Sequence, residues 1–314
     1  MAIHKVGIIG TGNVGVAGAY AMFVQGTCSE LVLVDLDMKR ARGEALDLMH
    51  GQAYTGRISV RAGGYEDLAG AQVVVITAGA AQKPGETRLD LLNNNARVFR
   101  SIAQDLDRHV PDACLVVASN PVDILTWMMQ ELSDRPPSRI IGTGTMLDTS
   151  RFRSLLGEHY DVDPRSVHGY ILGEHGDSEF AAWSTVSIGG KSPVRSTVLG
   201  RKWDEERMQA LFVRVRDAAY EIISGKGYTN LAIGLVISRL VSRILQDRHS
   251  IQPVSVRLDE GYDLPGMCIS VPALIGANGV ERLIHLNLPE NERAALEHSA
   301  DILRAQIDNV ALES

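Results

Sequence analysis

Five short runs, Val6–Ile9, Leu31–Val34, Val73–Thr77, Cys114–Ala118 and Arg139–Ile141, are rich in β-branched residues and lack the polar alternation of a half-exposed sheet. Strands with that pattern are buried on both faces, the condition of a parallel sheet covered by helices. Helical segments separate them: Val14–Gln25, Met38–Met49, Asn93–Arg108 and Pro121–Leu132. Repeated strand–helix–strand order predicts a doubly wound α/β sheet. After Gly142 the rhythm changes. Helices at Asp148–His159, Asp204–Ser224, Thr229–Gln246 and from Pro289 onward alternate with strands near Val254–Arg257 and Met267–Val271. Two parts follow from this, residues 1–142 and a mixed α/β part at 143–314, with no Pro/Gly/Ser linker between them.

A length of 314 residues suffices for two such parts on an extensive core. The net charge of -7 argues against a nucleic-acid or anionic-membrane binder, while leaving room for a local basic pocket. Cys28, Cys114 and Cys268 fit no zinc or redox spacing and are expected to be reduced, buried thiols. No apolar run approaches the ~18 residues of a membrane span. The first strand follows Met1 so closely that no signal peptide is expected, which predicts a cytoplasmic location.

Gly10, Gly12 and Gly15 form a G-x-G-x-x-G between the first strand and the first helix, with Val14 in the helix's opening turn. The three glycines suit a tight turn, a close approach of backbone to a pyrophosphate, and close helix–strand packing. The helix N-terminus would then offer free N–H groups to the phosphates. Alone the pattern is weak. Asp35, at the end of the second strand, strengthens it, because a carboxylate there binds ribose hydroxyls and repels a 2′-phosphate. A helix-cap role for Asp35 is the competing reading. The pattern predicts NAD rather than NADP as cofactor.

Hydride exchange between a nicotinamide and an alcohol carbon requires a base and a group that stabilises the developing alkoxide, and an anionic substrate requires a cation as well. His175 lies in a polar, glycine-flanked turn, Gly173-Glu174-His175-Gly176-Asp177. A lone histidine is more often structural, but flanking glycines admit a ligand. Arg151 and Arg153 are two apart on one helix and so do not share a face. Arg88 lies in a stretch, Ala80–Asp90, that could close as a lid and carry it inward. An ordinary surface role is the alternative for each arginine. No Cys/His cluster with metal-ligand spacing is present, so no metal is expected.

Along essentially its whole length the chain resembles the L-lactate/malate dehydrogenase family. The most specific matches are Gln82–Arg88 (QKPGETR), Ser119–Asp123 (SNPVD), Leu147–Arg153 (LDTSRFR) and Gly173–Asp177 (GEHGD). The resemblance implies a Rossmann-type NAD domain at 1–142 and a substrate domain at 143–314. It implies that His175 carries the proton, that Asp148 is its carboxylate partner, and that Arg151 clamps the substrate carboxylate. Arg88 would polarise the carbonyl, Asn120 would position substrate and nicotinamide, and Thr229 would line the pocket. Gln82 stands where malate enzymes of the family commonly carry arginine, and Thr229 where they tend to carry a smaller residue. Both positions favour pyruvate and L-lactate, the fermentative end of glycolysis. Ala81 departs from an asparagine frequent in the family.

Arg153 and His168 match positions at which bacterial members of the family bind the activator fructose 1,6-bisphosphate. An odd number of residues separates His168 from His175, so an extended stretch would point them to opposite faces. Basic groups gathered at a symmetric interface would repel until a bisphosphate bound them, and a structural interface pair without regulation is the competing reading. The resemblance also implies a homotetramer. Competing readings are a malate dehydrogenase of the same fold, an NAD-dependent glycoside hydrolase related by fold, and an NAD-binding protein that has lost catalysis.

Overall fold

The apolar runs become the interior of a sheet. The computed structural model describes residues 4–80 and 88–310, with Arg88 as backbone only. The chain begins with β1 (Lys5–Ile9), α1 (Asn13–Gln25), β2 (Glu30–Val34), α2 (Met38–His50), β3 (Ser59–Ala62) and β4 (Val73–Ile76). It continues with α3 (Arg88–His109), β5 (Cys114–Val117), α4 (Val122–Leu132), β6 (Ile140–Gly142) and α5 (Met146–Tyr160). Four two-residue strands follow: β7 (Val167–His168), β8 (Ile171–Leu172), β9 (Phe180–Ala181) and β10 (Ser187–Ile188). The chain then forms α6 (Glu205–Lys226), α7 (Leu231–Leu245), β11 (Ser250–Arg257), β12 (Cys268–Gly276), β13 (Gly279–Leu283) and α8 (Glu290–Ile307).

Among the described residues, nine strands share one sheet in the order β13-β12-β11-β6-β5-β4-β1-β2-β3. The six from β3 to β6 run parallel. Their order reverses between β1 and β4, which opens a crevice at the carboxyl ends of those two strands. The side chains of β4, β5 and β6 are buried throughout, as their lack of alternation predicts. All five predicted strands of the first half are present within a residue at either end. β3 was not predicted. It is a four-residue edge strand whose Arg61 pairs with Asp67 and Glu30, so it lacks the apolar signal of a central strand.

The strands predicted near Val254–Arg257 and Met267–Val271 belong to the same sheet. β11 pairs antiparallel with β6, opposing Ser255 to Gly142, and β12 and β13 continue outward. Helices α1 and α7 pack together across the two halves, with Gly18 against Ile237. One apolar cluster accordingly runs from Val6 through Val116 to Ile269 and Leu303. A smaller one, around Phe152, Tyr160 and Val215, lies under α5 and α6. The three cysteines are free and buried, as expected. Burial pushes the Cys28 thiol up to about 12 and that of Cys114 to about 11, which keeps both unreactive.

A fragment ending at residue 142 would expose the edge of β6 and the apolar side of α4 that faces β11 and β12. Such a fragment should aggregate or lack fixed tertiary structure, read by size-exclusion chromatography and amide NMR dispersion. A soluble, well-dispersed monomer would refute this account of the sheet.

Candidate active site

The dinucleotide crevice starts at the end of β1. Gly10 has φ +96, and a Cβ there would lie 2.7 Å from the Ala78 nitrogen. A Cβ on Gly15 would fall 2.0 Å from the Gly10 carbonyl oxygen, so the helix can approach the strand only with glycine at that position. A Cβ on Gly12 would meet no described residue within 4 Å. Among the described residues no side chain caps the Gly12 end of α1, and the first turn, which includes Val14, carries no acidic residue. Its N–H groups are therefore available to an anion.

Asp35 accepts hydrogen bonds from Thr11 N (2.6 Å), Thr11 Oγ1 (2.8 Å) and Asp37 N (2.9 Å). Partial burial raises its pKa, but these bonds and nearby Arg40 outweigh that and hold it below the usual carboxylate range. Asp37, not Asp35, caps α2, through Arg40 N. That removes the helix-cap alternative for Asp35.

Asp148 is 2% exposed, in the first turn of α5, which begins at Met146 rather than at Asp148 itself. Its Oδ2 accepts from His175 Nδ1 at 2.7 Å and its Oδ1 from Arg151 Nη1 at 2.8 Å. Since a carboxylate only accepts, Nδ1 carries a proton, and Nε2 is the ring atom free to exchange one. Burial lowers the pKa of His175, but the charge and hydrogen bond of Asp148 prevail and lift it to about 9. Asp148 is correspondingly held low by His175 and Arg151 against the opposing effect of burial.

The turn that presents His175 is anchored from three sides. Asp123 Oδ2 on α4 accepts from His175 N at 2.7 Å. Ser299 Oγ on α8 accepts from Glu174 N at 2.6 Å. Gly173 bridges to Ser270 of β12. Burial pushes the Asp123 carboxyl up to about 6. Asp123 was in a recognised motif but had no assigned role, and Ser299 gave no signal in the sequence. Glu179 was also missed. It is buried beside Asp148 and His175, with a ligand-type atom of each within 4.8 Å of the others. The cationic Arg151 on Asp148 makes this a poor place for a metal ion. Asp247, His249 and Glu281 form a second, exposed group, in which the imidazole lies between the two carboxylates and faces them with opposite nitrogens.

Arg151 and Arg153 diverge as their spacing requires. Arg153 Nε donates to the Gly169 carbonyl (3.1 Å), and its guanidinium lies 5.5 Å over the Tyr170 ring. His168 is exposed on β7. The parity argument for His168 and His175 does not hold. Gly169 (φ +157) and Gly173 (φ +97) break the stretch, and β7 and β8 pair in different sheets. Asn120 is exposed just beyond β5, and Thr229 is half-buried two residues before α7, not within it as predicted. Gln82 and the side chain of Arg88 lie outside the described residues.

Residues 4–142 match the lactate/malate dehydrogenase NAD binding domain, and residues 145–313 match that family's alpha/beta C-terminal domain. The chain belongs to the lactate/malate dehydrogenase family. It is 57% identical over 302 residues to L-lactate dehydrogenase of Salinibacter ruber, covering 96% of each chain. It is 45% identical over 301 residues to that of Thermus aquaticus, covering 96% of this chain and 97% of the relative. Among solved structures, the ligand-bound minor L-lactate dehydrogenase of Enterococcus mundtii superposes with a TM-score of 0.96 at 45% identity, over 99% of each chain. This member of the family is an NAD-dependent oxidoreductase with a Rossmann-type first domain. The open face at Gly12, the uncapped α1 and the anionic Asp35 all suit NAD. No described helix is long and apolar enough to cross a membrane.

Because the folded pKa of His175 is raised from 6.5, its pairing with Asp148 stabilises the fold fully below 6.5 and is lost as pH rises through about 9. Asp148→Asn should bring the imidazole titration down by at least about one unit, read by NMR. An unchanged titration would show that Asp148 does not set it.

Proposed function

We propose that the chain is an L-lactate dehydrogenase that interconverts L-lactate and pyruvate. The observation that carries this reading is His175, braced by Asp148 and set beside Arg151, in a chain that also holds an NAD crevice. NAD, when bound, takes up or delivers the hydride. In pyruvate reduction His175 Nε2 gives its proton to the carbonyl oxygen, and Asp148 steadies the imidazolium beforehand. One N–H of Arg151 is held by Asp148, which leaves the rest of its planar fork for the substrate carboxylate. Arg88 polarises the carbonyl from the 80–90 segment, Asn120 orients substrate and nicotinamide, and Thr229 and Gln82 border the substrate's third carbon. We divide the chain into a dinucleotide-binding domain, residues 1–142, which also lends Gln82, Arg88 and Asn120 to the substrate, and a substrate domain, residues 143–314, in line with the boundary between the two matched models.

Exposed apolar pairs one turn apart, Tyr20 and Val24 on α1 and Leu231 and Leu235 on α7, support self-association, for which we propose a homotetramer. Arg153 and His168 are our proposed fructose 1,6-bisphosphate site, since Arg153 is anchored to the residue that follows His168. A cytoplasmic location agrees with three free thiols.

NADH oxidation with pyruvate and with oxaloacetate, each with and without fructose 1,6-bisphosphate, tests these assignments together. Pyruvate should be preferred by roughly 10⁴-fold in kcat/KM, because a neutral Gln82 leaves a second carboxylate unpaired. The bisphosphate should lower the apparent KM for pyruvate. Preference for oxaloacetate would overturn the substrate, and an unchanged KM would overturn the effector site. His175→Asn should lower kcat by about 10²–10⁴-fold while NADH binding, read by fluorescence, persists. A variant with near-normal kcat would remove His175 from the reaction.

A further inference from the structure

Glu179 immediately precedes β9 and is 5% exposed, unusual for a carboxyl to which no cation is bonded among the described residues. Its Oε1 is shut off from solvent and has no hydrogen-bond partner among the described residues. Its carboxyl stands against that of Asp148, with an oxygen of each within 4.8 Å of the other. Two buried carboxyls this close disfavour a second negative charge, so one of them keeps its proton. Asp148 already accepts from His175 and Arg151, and both bonds favour its anion. Among the described residues Glu179 has no comparable donor, so the proton belongs on Glu179.

We propose that Glu179 is a positioning residue of the proton-transfer pair, a carboxylic acid that keeps its proton at neutral pH and donates it to Asp148. The proposal rests on the reading of His175 as the proton carrier. With Glu179 neutral, one anion, Asp148, faces two cations, Arg151 and the protonated His175. The bond from Glu179 draws charge from Asp148 and weakens its hold on the imidazolium, which then releases its Nε2 proton more readily. Among the described residues, the charged groups around the cluster include Asp123 of α4, Glu174 and Asp177 of the turn, and Arg216 of α6 with its neighbour Asp217. Burial first, and then the charge of Asp148, push the Glu179 carboxyl well above its usual range, in the direction this role requires.

The test is infrared spectroscopy of the full-length enzyme together with pH profiles of two variants. A protonated-carboxyl carbonyl band, sensitive to deuterium and missing from Glu179→Gln, is expected at neutral pH. Glu179→Leu removes the donor, so the alkaline limb of keto-acid reduction should move up by about half a unit or more. Glu179→Gln, whose amide can still donate to Asp148, should bring that limb back toward its wild-type position. A missing band would overturn the proposal, and so would a limb that stays fixed in Glu179→Leu. Failure of the His175 reading is separable, because full activity in His175→Asn would remove the proton carrier without altering the Glu179 band.

Discussion

A carboxylate buried to 2% exposure persists as an anion only when both its oxygens meet donors, and Asp148 does so with two cations. Arg151 comes from the same helix, one turn on, while His175 comes from a turn 27 residues away in sequence. Losing either partner would leave buried charge uncompensated, typically a cost of about 3–5 kcal/mol. The interaction therefore fixes the turn against α5. The same contact gives His175 its tautomer and its affinity for a proton, so stability and chemistry rest on one carboxylate.

The surroundings of that turn explain how it holds its position. Asp123 on α4, Ser299 on α8 and Ser270 on β12 each bond to its backbone, so parts of both halves of the chain grip one short loop. This is possible because β11 continues the sheet from β6, which places β12 and α8 beside α4. The dinucleotide crevice arises from the same sheet, at the reversal between β1 and β4. A single rigid layer thus sets both the nucleotide site and the base that serves it.

Much of this was legible in the residues. The buried runs gave the parallel strands, and Gly10, Gly12 and Gly15 with Asp35 gave the nucleotide site, because those features act between near neighbours in sequence. The divergence of Arg151 and Arg153 followed from helical geometry alone. The edge strand β3 escaped notice because half-exposed strands carry polar residues. The alternation argument for His168 and His175 failed at Gly169 and Gly173, where positive φ turns the chain out of the extended form. Asp123, Ser299 and Glu179 could not be assigned from pattern, since what matters about each is which distant group it meets.

The sequence by itself determined the class of fold, the nucleotide site and the family, through periodicity and short motifs whose physics is local. Only the tertiary structure decided that the second half extends the first half's sheet, and that a second buried carboxyl, Glu179, stands against Asp148 and His175. Such facts depend on strand pairing and burial between segments far apart in the chain. Local pattern carries no record of the separation, the desolvation or the charge that arise when those segments meet.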